Sequence, residues 1–265
     1  MPAPFETIQL EFALGVATLT LNRPERLNSL NRLMLGEMAN ALAAVRLEAS
    51  ARCLLITGAG RAFCSGQDLD DEWVDPTLGS VDLGAVMESG YQPIILGLRD
   101  LPIPVLAAVN GVAAGGGANI ALACDVVIAA RSASFIQPFC RLGLLPGAGG
   151  TWWLPHLVGP ARAMGMALFG QPVSAADAQA WGLIWECVSD EQLDERSRQL
   201  ALQLAEGPTL GFSRAKQAIQ AAAGQTLEAS LELESAFMRE LGESLDYREG
   251  VAAFRAKRPA RFIGG

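Results

Sequence analysis

The sequence predicts a layered α/β fold, on three observations. A strand, a glycine-bearing turn and a helix follow one another repeatedly through the first two thirds of the 265 residues, the order that builds sheets covered by helices. Hydrophobic residues make up 51% and charged residues 18% of the chain, a balance that fills a core and excludes a disordered chain. Beyond Asp190 the pattern becomes helical only. A chain of this length suits one large domain, or one domain with an appendage.

The hairpin comes first: Ile8–Phe12 and Val16–Leu21 alternate as its arms, turning at Gly15. Asn22-Arg23-Pro24-Glu25-Arg26 is a polar turn. A helix follows, with Ser29 as its N-cap and Leu30, Leu33, Met34, Met38, Leu42 and Val45 at helical spacing. Arg52–Thr57 is a buried strand closing on Gly58-Ala59-Gly60. The acidic, weakly periodic stretch from Asp68 to Gly90 reads as a mobile loop or lid.

Next come a strand over Val105–Val109, an Asn110-Gly111 turn, a bend at Gly115-Gly116-Gly117 and a helix opening near Ala118. Asp125–Ala130 is another strand. Ser174-Ala175-Ala176-Asp177 forms a capping box for a short helix closed by Gly182, and Leu183–Val188 is the last strand. Helices are expected over 190–205, 208–223, 226–241 and 246–258. The last opens on the capping box Asp246-Tyr247-Arg248-Glu249 and stops at Pro259. A soft boundary near Gly207-Pro208 separates a core over 1–206 from a helical region over 207–265. That region is too small to bury much alone, so it packs on the core or on a neighbouring subunit.

Composition narrows the function. A net charge of −8 argues against nucleic acid or an anionic membrane as the main partner, while leaving room for a small anionic ligand where basic residues gather. The five cysteines, Cys53, Cys64, Cys124, Cys140 and Cys187, are scattered without a CxxC pair. They predict reduced thiols, no metal site and a cytoplasmic location. The opening MPAPFETIQLEF has no basic region followed by an apolar one, so no signal peptide is expected. The uncharged run from Leu101 to Cys124 is long enough for a membrane span. Pro102, Pro104, Asn110, Asn119 and the glycines inside it favour a buried strand, turn and helix instead. His156 is the only histidine and no GxSxG elbow accompanies it, which disfavours a serine triad. Ile56-Thr57-Gly58-Ala59-Gly60 lacks the third glycine of a dinucleotide-binding turn.

Two glycine-rich turns carry the chemistry. Three successive glycines at 115–117 let a backbone approach a ligand with no Cβ in the way, and amides at a helix start suit an oxyanion. The second turn is Arg61-Ala62-Phe63-Cys64-Ser65-Gly66-Gln67-Asp68-Leu69, just after a buried strand. Tight structural bends would have the same composition. Taken with Asn22-Arg23-Pro24, Gly149-Gly150-Thr151, Ser174-Ala175-Ala176-Asp177-Ala178 and Phe254-Arg255-Ala256-Lys257-Arg258, in that order along nearly the whole chain, the set resembles the crotonase (enoyl-CoA hydratase/isomerase) superfamily. Thr151-Trp152-Trp153-Leu154-Pro155, Ala161-Arg162-Ala163-Met164-Gly165, Trp181-Gly182-Leu183-Ile184-Trp185 and Asp246-Tyr247-Arg248-Glu249-Gly250 look most like its ring-epoxide isomerases of aerobic phenylacetate breakdown.

The resemblance implies a spiral of stacked ββα units followed by helices that trimerise, often as a dimer of trimers. It implies an acyl-CoA ligand, with coenzyme A as part of the substrate and no separate cofactor. The backbone N–H groups of Gln67 and Gly116 would form an oxyanion hole for the thioester oxygen. Coenzyme A would touch Arg26, Leu27, Ala62, Ser65, Gln67, Asp68 and Leu69. Phe254 and Lys257 would reach its nucleotide end, often from another subunit. Lys257 would also complement a helix C-terminus.

The same resemblance marks departures. The two glutamates of the hydratases fall on Asn119 and Phe139, and the carboxylate of the isomerases, following the proline of Leu144-Leu145-Pro146, falls on Gly147. Hydration needs a group that deprotonates water, which Phe139 cannot do and Asn119 does poorly. The expected activity is therefore isomerisation of an unsaturated or ring-epoxide acyl-CoA through a stabilised enolate. The alternatives are an acyl-CoA-binding paralogue without proton transfer, or hydration or thioester hydrolysis using a lid carboxylate. Asp70, Asp71, Glu72, Asp75, Glu88 and Tyr91 are the candidates for an acid or base beyond the first turn. Phe135, Phe139 and Trp152 would suit an aromatic or alicyclic acyl group.

Overall fold

The computed structural model of the chain describes residues 5–265. It opens on the expected hairpin, β1 (Ile8–Ala13) and β2 (Val16–Leu21), paired antiparallel, and then α1 (Arg32–Leu47). From there the chain repeats one pattern. A long strand enters a large sheet, a strand of three residues enters a small sheet, and a helix leads to the next pair.

The pairs are β3 (Cys53–Gly58) with β4 (Ala62–Cys64), β5 (Val105–Val109) with β6 (Val112–Ala114), and β7 (Val126–Ala130) with β8 (Ser134–Ile136). The intervening helices are α2 (Leu83–Val86) and α3 (Gln92–Asp100), joined by a π-helical turn over Met87–Tyr91, and then α4 (Gly116–Leu122). After β8 come α5 (Gly150–Phe169), β9 (Val173–Ser174), α6 (Ala175–Trp181) and β10 (Glu186–Val188). The large sheet has the order β1-β2-β3-β5-β7-β10 and the small one β4-β6-β8-β9. This is the spiral of ββα units that the resemblance implied. All five residues of β5 are buried, as a parallel strand covered on both faces requires.

Four helices close the chain: α7 (Leu193–Ala205), α8 (Thr209–Ala222), α9 (Leu227–Glu243) and α10 (Leu245–Ala256). α7 packs across β2, β3, β5 and β7. α8 is locked to the core by Lys216, whose ammonium donates to the Leu98 carbonyl at 2.8 Å and pairs with Asp125 at 2.9 Å. α9 buries none of its residues within the chain. Among the described residues no helix is long and apolar enough to cross a membrane.

Several local expectations are corrected. α1 is capped by Asn31, whose side chain accepts from the Met34 amide, and not by Ser29. The reason is that Leu30, next to Ser29, pairs with Gln67 in a β-bridge and holds the preceding chain extended. α4 opens at Gly116 rather than near Ala118. α10 is capped by Ser244, which accepts from the Tyr247 amide. Asp246 instead accepts from the amides of Ile263 and Gly264 and ties down the C-terminal tail. The Asp68–Gly90 stretch contains two 3-10 turns, α2 and the π-turn rather than one open loop.

Candidate active site

The two glycine-rich turns meet. The turn after β1–β2 is pinned first by Asn28, fully buried and in the left-handed conformation at φ 55°. Its side chain donates to the carbonyls of Ala59 and Ala62 and accepts from the Arg23 amide. Residues 65–68 are then laid alongside 27–30. The Ser65 amide donates to Leu27, the Leu30 amide to Gly66, and the Asp68 amide to Leu30. In such a parallel bridge the paired residue itself turns its N–H the other way. Gln67 therefore presents its amide away from residues 27–30, on the side where Gly66 passes over Gly115.

Gly66 (φ 95°) has no space for a side chain, because a Cβ there would lie 2.9 Å from the Ala114 carbonyl oxygen. On the facing turn a Cβ at Gly116 would sit 2.6 Å from the ring of Tyr91, and one at Gly117 would collide with the Cys64 side chain. Gly115 caps α4 at φ 53° and donates its own amide to Ile136. Among the described residues, no protein acceptor takes the Gln67 or the Gly116 amide. Two backbone donors thus stand free at the junction of the turns, an arrangement that can bind and stabilise an oxyanion.

Asn119, Phe139 and Gly147 converge on the same place. Asn119 is fully buried one helical turn after Gly115. Its Nδ2 donates to the Gly147 carbonyl at 2.7 Å, and its Oδ1 accepts from Gln137, also fully buried, at 2.8 Å. The Phe139 ring lies where a Cβ on Gly115 or Gly147 would meet it at 3.7 Å. A Cβ at Gly147 would come nearest to the Met87 sulfur, at 3.1 Å. None of the three carries an ionisable group.

Of the other acid–base candidates, the three aspartates are engaged elsewhere and the two glutamates are exposed. Asp71 accepts from the Arg32 amide and, as an N-cap, from the Trp73 amide. Asp75 caps the next 3-10 turn. Asp70 pairs with Arg26 at 2.9 Å on the surface. Glu72 and Glu88 are exposed on their turns. Tyr91 is no base: it is buried, and burial drives its phenol far above the ordinary tyrosine range. Its hydroxyl donates to Gln67 Oε1 at 2.8 Å. His156 is exposed on α5 and stacked on Trp152.

Of the residues expected at coenzyme A, Arg26, Leu27, Ala62, Ser65, Gln67, Asp68 and Leu69 fall in one cluster around the first turn. Leu69 is exposed and Ala62 buried. The Asp68 side chain is not open to a ligand. It is buried against Arg23 at 2.8 Å. Burial alone would raise this carboxyl, but hydrogen bonds from Arg23 and the Asp70 amide, with the Arg23 charge, hold it below the usual aspartate range. Phe254 and Lys257 lie at the exposed end of α10, and no hydrogen bond or ion pair joins them to that cluster among the described residues. The parts sequence reasoning missed are Asn28, Gln137 and Met87. The left-handed Asn28 has a readable signal in its residue type. The other two depend on the fold to supply their partners.

A family model for enoyl-CoA hydratase/isomerase matches residues 11–265. The chain belongs to that family. It is 54% identical to the 1,2-epoxyphenylacetyl-CoA isomerase of Escherichia coli, over 94% of this chain and 95% of that protein. It is 50% identical to a probable enoyl-CoA hydratase of Rhodobacter capsulatus, over 98% and 99% of the two chains. The crystal structure of enoyl-CoA hydratase from Bacillus anthracis superposes with a TM-score of 0.90 at 33% identity, covering 98% of this chain and 100% of that one. This member of the enoyl-CoA hydratase/isomerase family is thus an acyl-CoA enzyme of isomerase or hydratase type.

Proposed function

We propose that this protein binds an acyl-CoA thioester and isomerises an unsaturated or ring-epoxide acyl group by stabilising its enolate. The observation that carries the reading is the pair of unengaged amides, Gln67 and Gly116, where the two turns cross. A thioester oxygen placed between them gains negative charge as the α-carbon loses a proton, and fixed donors favour that state over the ground state. Isomerisation and hydration both need a group that takes a proton, and Asn119, Phe139 and Gly147 offer none. On this reading the proton passes to a carboxylate of the 70–88 stretch, where Glu72 and Glu88 are exposed, and isomerisation is preferred on the likeness to an isomerase. The 54% identity to an epoxyphenylacetyl-CoA isomerase supports an aryl-derived acyl group, as do the Phe139 and Met87 side chains beside Gly147.

The cluster around the first turn is read as the coenzyme A site, with Arg26 as its phosphate contact. The Arg26–Asp70 pair is exposed at both ends, and such a pair is held by about 0–1 kcal/mol, weak enough for a phosphate to displace. Coenzyme A enters as part of the substrate, and no further cofactor belongs to this reading. Phe254 and Lys257 would complete the site from a neighbouring subunit of a homo-trimer or a dimer of trimers. Leu231, Met238, Leu245 and Tyr247, all exposed on α9 and α10, would pack in that assembly. The protein is read as cytoplasmic, in keeping with its scattered, unpaired cysteines.

A second reading is favoured by one observation: Asn119 spends both ends of its amide on Gln137 and Gly147. On that reading the protein binds acyl-CoA without proton transfer. The test is turnover of 2-(1,2-epoxy-1,2-dihydrophenyl)acetyl-CoA and of a 3-enoyl-CoA, by the parent and by Gly147→Asp. The tightest contact of the new Cβ would be the Met87 sulfur at 3.1 Å, on a flexible side chain. Isomerised product from the parent, without oxygen from labelled water, supports the enzyme. An inert parent beside an active variant supports the binding protein.

A further inference from the structure

The buried phenol of Tyr91 touches both turns at once. Its hydroxyl donates to Gln67 Oε1 at 2.8 Å, and its ring edge lies so close to the Gly116 Cα that a Cβ there would stand 2.6 Å from Cε1 and 3.1 Å from the hydroxyl oxygen. It reaches this position at the end of the π-helical turn Met87–Tyr91, and such turns redirect a side chain that a regular helix would aim elsewhere. Gly66, directly before Gln67, sits at φ 95° and has no side chain with which to fix the chain there. Gln67 is held instead by the bridge to Leu30, by its own Nε2 bond to the Asp68 carbonyl and by the bond from Tyr91.

We infer that Tyr91 is a positioning residue that sets the distance and direction between the Gln67 and Gly116 amides. The inference rests on those amides being the oxyanion donors. Tyr91 does not touch the thioester. It acts through Gln67, by fixing the side chain and with it the peptide plane, and through Gly116, by walling off its Cα. Burial keeps the phenol protonated, so it remains a donor throughout the working pH range.

The test uses phenylacetyl-CoA labelled with carbon-13 at the thioester carbonyl, bound to the full-length protein, with the carbonyl stretch read by infrared difference spectroscopy. This needs no turnover. In the parent the band should move to lower wavenumber than in water, reporting polarisation by the two amides. Tyr91→Phe keeps the buried ring and should lose at least half of that displacement while its dissociation constant changes less than about threefold. Gln67→Met, which also gives up the Nε2 bond to the Asp68 carbonyl, should lose at least as much of the displacement. The double variant should lose no more than Gln67→Met alone, because the Tyr91 bond is already gone in it. A full displacement in Tyr91→Phe overturns the role of Tyr91 and leaves the oxyanion hole standing. No displacement in the parent overturns the hole and the role together. If Tyr91→Phe fails to fold, Gln67→Met decides: a full displacement there likewise overturns the inference.

Discussion

Gly116 has no room for a methyl group. A Cβ would meet the Tyr91 ring at 2.6 Å, and that ring cannot retreat without giving up Gln67. Gly116→Ala is expected to lower kcat/KM by about 10²–10³, the cost of one misplaced oxyanion donor. The loss of stability should be about 1–3 kcal/mol from overpacking, read by steady-state kinetics beside thermal unfolding. Asp68 supplies a pH effect. Its carboxyl is held below the ordinary value in the folded state, so its contribution is fully present above the usual aspartate range and is lost as pH falls through the lowered value. Arg23→Gln removes the main partner, and acid unfolding followed by circular dichroism should begin at higher pH. The residues of the two turns were legible in the sequence because glycine runs announce close approach. Gln137 was not, since a buried amide means something only beside Asn119, which the fold brings to it from 18 residues away.

At the scale of elements, α8 was legible as a helix but its anchor was not. Lys216 is buried, donating to the Leu98 and Ile103 carbonyls and pairing with Asp125. Burial pushes the Asp125 carboxyl up, and the Lys216 charge offsets this only in part. Removing the lysine would leave that carboxylate without its cation. Lys216→Met is expected to cost about 3 kcal/mol, the low end for a broken buried pair because Asp125 keeps some access to solvent. That is a fall in Tm of roughly 6–10 °C by calorimetry. Helix starts were misplaced by three residues at α1 and by one at α10, where several polar residues compete for the cap and tertiary contacts choose among them, and by two at α4, where a run of glycines gives no capping side chain to read. The second strand of each ββα unit escaped notice for a plainer reason. Ala62–Cys64, Val112–Ala114 and Ser134–Ile136 are three residues each, too short for any period to show.

Across the whole molecule, the spiral places one turn from each of two successive ββα units side by side, and that crossing creates the candidate site. The layered α/β class followed from the order of strands, glycine turns and helices along the chain, whereas the spiral came only from the family resemblance. The fate of α9 and α10 was not legible, because much of their apolar surface, Leu231, Met238, Leu245, Tyr247 and Phe254 among it, stays exposed on the chain that carries them. If they join neighbouring subunits as proposed, light scattering should give three or six times the chain mass of 27.9 kDa. Met238→Glu, at an exposed position of α9, should shift the population toward the single chain. A parent that runs as a monomer at micromolar concentration would remove the neighbour from the coenzyme A site. A crystal structure with phenylacetyl-CoA tests most directly whether the two free amides hold the thioester. Its oxygen is expected about 2.7–3.1 Å from both the Gln67 and the Gly116 nitrogen. A thioester bound in the same cleft with its oxygen turned away from both amides would contradict it.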